Sequence, residues 1–222
     1  MAREDYCESL TELRDGVESM AKTVLTQLRQ ALESLEDGDE TLARKVIDND
    51  EIVNERYLDL EGDCINLLAL QQPVASDLRF VAASFKILTD LERIGDLATN
   101  LARYALAGAS RAFSKVDIHR IGDEVRNQVQ AAIDAYVADD TDACRTIDTR
   151  DDEIDALCQR ASEAVVRELI AREADAWGIE QLLDDVSRVL LTIRDLERIG
   201  DHAVNVAART HYMVENDPEL IY

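Results

Sequence analysis

The sequence predicts an all-α protein built as a tandem repeat of two three-helix bundles, and three observations carry that prediction. Apolar residues recur at spacings of three and four along most of the chain, which is the helical period. Only two prolines interrupt the 222 residues, and aromatic side chains make up 5% of them. Asp90-Leu91-Glu92-Arg93-Ile94-Gly95-Asp96 recurs as Asp195-Leu196-Glu197-Arg198-Ile199-Gly200-Asp201, an offset of 195 − 90 = 105 residues. An identical heptapeptide at half the chain length marks a duplication.

The first helix is expected from about Tyr6 to Leu35, where Leu10, Leu13, Val17, Met20, Val24, Leu28, Ala31 and Leu35 keep the rhythm. Asp37-Gly38-Asp39 ends it, because Gly38 suits the positive-φ position after a helix. A second helix starts near Glu40 or Thr41, carries Val46, Val53, Tyr57, Leu60, Cys64, Leu67 and Leu68, and ends before Gln71-Gln72-Pro73. The residue before proline is pushed out of the α region. Pro73 and Ser76 suit the start of a third helix running from Asp77 to about Leu106, and Gly108-Ala109-Ser110 marks the boundary between halves. The second half repeats the plan with helices at Val116–Val137, Ala143–Glu173 and Glu180–Val214. Turns are expected around Asp139-Asp140-Thr141-Asp142 and at Trp177-Gly178-Ile179. Residues 1–108 thus form one repeat, 112–215 the second, and 216–222 a short, partly loose tail.

Net charge is −23, from 27 Asp and 20 Glu against 20 Arg and only four Lys. That balance excludes nucleic acid as a partner, since phosphates need basic surface. A solvated acidic coat explains most of the charge, and scarce lysine with abundant aspartate predicts a halophilic source, where salt screens the self-repulsion. Cys7, Cys64, Cys144 and Cys158 form neither a CxxC pair nor a zinc spacing, and Cys64 and Cys158 fall on apolar stripes as small core residues. No disulfide framework, signal peptide or stretch of about 20 apolar residues is evident, so a cytoplasmic protein is expected.

The repeat places acidic residues on one face. Glu92, Asp96 and Asn100 are four apart and share a stripe beside the apolar seam Leu91, Ile94, Ala98, Leu101. Glu197, Asp201 and Asn205 repeat it beside Leu196, Ile199, Ala203 and Val206. Setting Asp50 on Asp151, an offset of 151 − 50 = 101, also sets Asn54 on Asp155. The change from 101 to 105 implies four extra residues around Ala174–Gly178. Each half therefore carries two polar ligand pairs: Asp50, Asn54, Glu92 and Asp96 in the first, and Asp151, Asp155, Glu197 and Asp201 in the second. Like charges four apart repel, so a repeated pair of such repulsions points to a cation between the helices. Oxygen ligands suit Mg²⁺, Mn²⁺, Ca²⁺ or iron, and zinc less. Gly95 and Gly200 indicate close helix approach. Asp90 and Asp195 point elsewhere and stay outside the ligand set. Arg93 and Arg198 fit surface ion pairing as well as phosphate binding, and His202 reads as a surface or packing residue.

Gln72-Pro73-Val74-Ala75-Ser76-Asp77-Leu78-Arg79, followed by Leu91-Glu92-Arg93-Ile94-Gly95-Asp96, resembles the PhoU family of phosphate-uptake regulators, and the resemblance extends over the whole chain. It implies pseudo-twofold symmetry between the bundles, metal-bound carboxylate clusters holding iron or zinc, and a homodimer. It also implies negative regulation of high-affinity phosphate import by contact with the importer ATPase, with a sensor kinase as a further partner, the membrane being reached only through the transporter. The competing class is a carboxylate-bridged metal-dependent enzyme, but Glu-x-x-His, P-loop and nucleophile-elbow motifs are all missing. A metal-free helical adaptor is the third class.

Overall fold

The computed structural model describes residues 2–71, 73, 75–108, 116–171 and 179–221, and among these there is no strand. Six helical rods are present, the second interrupted once: α1 (Ala2–Asp37), α2 (Glu40–Asp48) with α3 (Asp50–Gln71), α4 (Ser76–Leu106), α5 (Ile118–Ala138), α6 (Thr141–Ala171) and α7 (Ile179–Glu215). The first bundle packs α1, α2 and α3 on α4; the second packs α5 and α6 on α7. α4 lies on α7 and α1 on α5, so the two bundles share one continuous core.

The three-four rhythm becomes that core. Leu13, Val17, Met20, Val24, Leu28, Ala31 and Leu35 of α1 are buried, as are both seams on α4 and α7. Burying the valine, leucine, isoleucine and methionine side chains contributes about 1.5–3 kcal/mol each. Leu68, expected on the inner stripe, instead faces solvent beside the buried Leu67. Cys64 and Cys158 are buried free thiols, both pushed up to about 12 by burial.

The turns between the first and second rods match in the two halves. Gly38 takes φ 66°, and Asp139, at 38 + 101, takes φ 53°. Asp39 then caps α2, its carboxylate accepting from the Thr41 and Leu42 N–H groups at 2.9 and 3.0 Å. Asp140 likewise accepts from Asp142 and Ala143 at 3.1 and 2.9 Å. Such caps satisfy N–H groups that a helix start leaves orphaned.

Two expectations need correction. The second rod is broken at Asn49, where a tightened turn runs from the Ile52 N–H to the Asn49 carbonyl. Asn competes poorly for a helix interior; α6 carries Arg150 at the corresponding place and runs unbroken. The tail is not loose: Leu220 is buried, the Asp217 carbonyl lies 3.3 Å from His211 Nδ1, and Glu219 pairs with Arg145 at 3.5 Å. The expected turn at Trp177-Gly178 and the four extra residues near it fall outside the described residues.

Candidate metal centre

The second rod and the last rod of each bundle bring the polar stripes face to face, and a glycine sets how near. A Cβ on Gly95 would stand 3.2 Å from Val53 Cγ1 and 3.3 Å from Gln27 Oε1; one on Gly200 would stand 3.4 Å from Asp151 Oδ1. The glycines let the aspartate-bearing helix sit against the Glu/Asp helix without a side chain between them.

In the second bundle Asp151, Asp155 and Asp201 offer one oxygen each, all within 4.8 Å of one another. Oxygen ligands about 2.0–2.6 Å from a hard cation span at most about 4–5 Å across it, so this trio fits a single ion. Burial drives the Asp151 carboxyl up to about 6, against a hydrogen bond from Gln128 that lowers it and with the charges of Asp155 and Asp201 adding to the rise. Asp201 is raised by burial and by Asp155. Glu197 lies outside the trio but within its field: burial, then Asp155 and Asp201, raise its pKa. Carboxylates that resist ionisation beside one another are what a cation would relieve.

In the first bundle the set is looser. Burial, then Asp96, raise Glu92, with Arg93 opposing; burial, then Asp50, raise Asp96. Asp50 Oδ1 accepts from Thr99 Oγ1 at 2.8 Å and Gln27 Nε2 at 3.3 Å. Asn54 lies one turn further along α3, half-buried. Among the described residues no carboxylate trio here closes as tightly as the one in the second bundle. Arg93 pairs with its neighbour Glu92 at 3.5 Å as an exposed ion pair, whereas Arg198 reaches the buried Asp195 at 3.9 Å.

Asn100 and Asn205 do not belong to the ligand stripe. They cross to the other bundle: Asn100 Nδ2 reaches Asp195 at 3.5 Å, and Asn205 Nδ2 reaches Asp90 at 3.4 Å. Asp90 also meets His202 Nδ1 at 3.0 Å and Arg209 Nε at 2.9 Å. Asp195, fully buried, accepts from Tyr104 Oη at 2.9 Å and meets Arg194 at 3.3 Å. This pseudo-twofold exchange holds the bundles together. Its signal in the sequence is the 105-residue identity of both Asp90/Asp195 and Asn100/Asn205, which does not say that each would bond the other's copy.

The family-level comparisons agree with this architecture. The family model described as "PhoU domain" matches residues 17–105 and again residues 118–210. The chain belongs to the PhoU family. It is 35% identical over 215 residues to the Pseudomonas putida protein named phosphate-specific transport system accessory protein PhoU homolog, covering 95% of this chain and 81% of that protein. The Clostridium acetobutylicum protein of the same name is 33% identical, with 96% of each chain covered. The crystal structure of PhoU from Pseudomonas aeruginosa superposes with a TM-score of 0.88 at 31% identity, covering 96% of this chain and 100% of that one.

One pair of residues near the clusters has no counterpart in the motif reading. Gln27 and Gln128 are both buried, and 27 + 101 = 128, the same offset that relates Asp50 to Asp151. Gln128 Nε2 donates to Asp151 Oδ1 at 2.8 Å. The shared offset was the signal available for finding them.

Proposed function

We propose that this protein is a cytoplasmic, metal-binding accessory regulator of phosphate import that restrains the importer by contact with its ATPase, and that it performs no turnover. The observation that carries the reading is the double PhoU match combined with relatives named accessory proteins of a phosphate-specific transport system. The carboxylate clusters support the metal part: Asp151, Asp155 and Asp201 hold the tighter site, with Glu197 beside them, and Asp50, Asn54, Glu92 and Asp96 the weaker one. A bound cation supplies charge neutralisation that lets the two helices stay close. Among the described residues no helix is long and apolar enough to cross a membrane, which suits a partner that reaches the membrane through the transporter. A homodimer and a sensor-kinase contact belong to the same proposal.

Affinity purification from the native host at low and high phosphate, with elemental analysis, tests the reading. The expected result is co-purification of the importer ATPase and stoichiometric metal that is lost in the Asp151/Asp155/Glu197/Asp201 quadruple alanine variant. Equal metal in both proteins would refute the metal site. Unchanged phosphate uptake in a deletion strain at every external concentration would refute the regulatory role.

A further inference from the structure

Gln27 and Gln128 each reach toward a carboxylate cluster from the first helix of their bundle, and both are 5% exposed. Each amide donates to the aspartate that leads its cluster, Gln27 Nε2 to Asp50 Oδ1 at 3.3 Å and Gln128 Nε2 to Asp151 Oδ1 at 2.8 Å. Each Oε1 is buried and, among the described residues, has no hydrogen-bond partner. A buried amide oxygen left without a donor is destabilising, because the water it lost on burial is not replaced. The duplication has kept that arrangement in both bundles, and Gln27 Oε1 lies 3.3 Å from the position of a Cβ on Gly95, next to the cluster residue Asp96. Packing alone does not call for a glutamine here, since leucine or methionine would fill the same space without an orphaned acceptor.

We infer that Gln27 and Gln128 are positioning residues of the two metal centres. The amide N–H fixes the orientation of the leading aspartate, and the amide Oε1 accepts from water ordered at the centre. The inference rests on the metal-site reading proposed above. Outer partners of this kind orient ligand carboxylates and change metal affinity by about 10- to 100-fold. The two centres differ in one further donor: Thr99 also bonds Asp50 and Gln27, whereas Val204 occupies its place at 99 + 105. Among the described residues Asp151 therefore depends on its glutamine alone, and the second centre is the more sensitive.

The test uses the full chain freed of metal by chelation, then titrated with Mn²⁺ followed by electron paramagnetic resonance, and with Fe²⁺ under anaerobic conditions. Gln128→Met keeps the size and removes both donor and acceptor. It should weaken the tighter site about 10- to 100-fold, leave the melting temperature of the metal-free protein unchanged or higher, and add nothing in an Asp151→Ala background. Gln27→Met should act only on the weaker site, and by less. Unchanged affinity in Gln128→Met, or the same loss in the Asp151→Ala background, would overturn the inference. A wild-type protein that binds neither ion better than the Asp151/Asp155/Asp201 triple alanine variant would overturn the metal-site reading itself, and the inference with it.

Discussion

At Asp151 burial and neighbouring charge act in the same direction, and the result is open to measurement. Its carboxyl is raised from 3.8 to about 6 in the folded chain. A raised acid contributes stability that is fully present below its unfolded pKa and is lost as pH rises through its folded value. The window is therefore roughly pH 4 to 7, and the loss belongs to the metal-free protein. Asp151→Asn keeps an acceptor for Gln128 and removes the charge. Because Asp151 is partly exposed, solvent screening cuts the effect to about 1 kcal/mol. The metal-free variant should melt about 2–4 °C above wild type at pH 7.5 and level with it at pH 3.5, with saturating metal reversing the order at pH 7.5. Equal melting at both pH values would mean that the carboxylates do not press on one another. That Asp151, Asp155 and Asp201 come together was legible because repetition at two offsets singles out a polar stripe from an acidic coat. Gln27 and Gln128 share the 101-residue offset, but a glutamine on an amphipathic helix looks like any solvated residue until its burial is known.

Among the helices, those with an unbroken apolar rhythm and a capped end were legible to within a few residues, because burial of one stripe and satisfaction of end N–H groups are local demands. The break at Asn49 was not: the apolar spacing of Val46 and Val53 fits a straight helix, and the tightened turn at Asn49 depends on weak propensity alone. The docked tail depends on burial of Leu220 and on a contact with the distant Arg145, which no local pattern records. The α4–α7 crossing yields the strongest stability prediction. Asp90→Ala would leave Arg209 and His202 without their shared carboxylate in a mostly buried seam, at a cost of about 3 kcal/mol and a fall of roughly 6–12 °C in Tm. Tyr104→Phe, which leaves Asp195 its arginines, should cost about 1–2 kcal/mol. The exposed acid Glu55 changed to Ala should stay within about 0.5 kcal/mol of wild type. A loss at Asp90 no larger than at Glu55 would show that the crossing is held by apolar contact alone.

For the molecule as a whole, the charge of −23 is offset at the surface by exposed pairs such as Arg167–Glu163 and Arg126–Asp123. Exposed pairs contribute little, so the long-range repulsion of the excess carboxylates is left for dissolved ions to screen. Metal-free protein should therefore gain melting temperature steadily from low salt into molar KCl, and a flat profile would contradict a source adapted to high salt. The two-domain plan itself was legible from one repeated heptapeptide, while the way the halves face each other was not. That facing has a consequence for origin. Among the described residues Asp90 is met by His202, Asn205 and Arg209, and Asp195 by Asn100 and Tyr104 together with arginines of its own helix. In a twofold pair of identical bundles, each of these carboxylates would meet the same residues of the other copy. Within one chain, each side of the crossing can differ from its mirror image. The Tyr104/Arg209 and Leu97/His202 mismatches across the axis are divergence of the kind that a joined pair can tolerate and an identical pair cannot acquire.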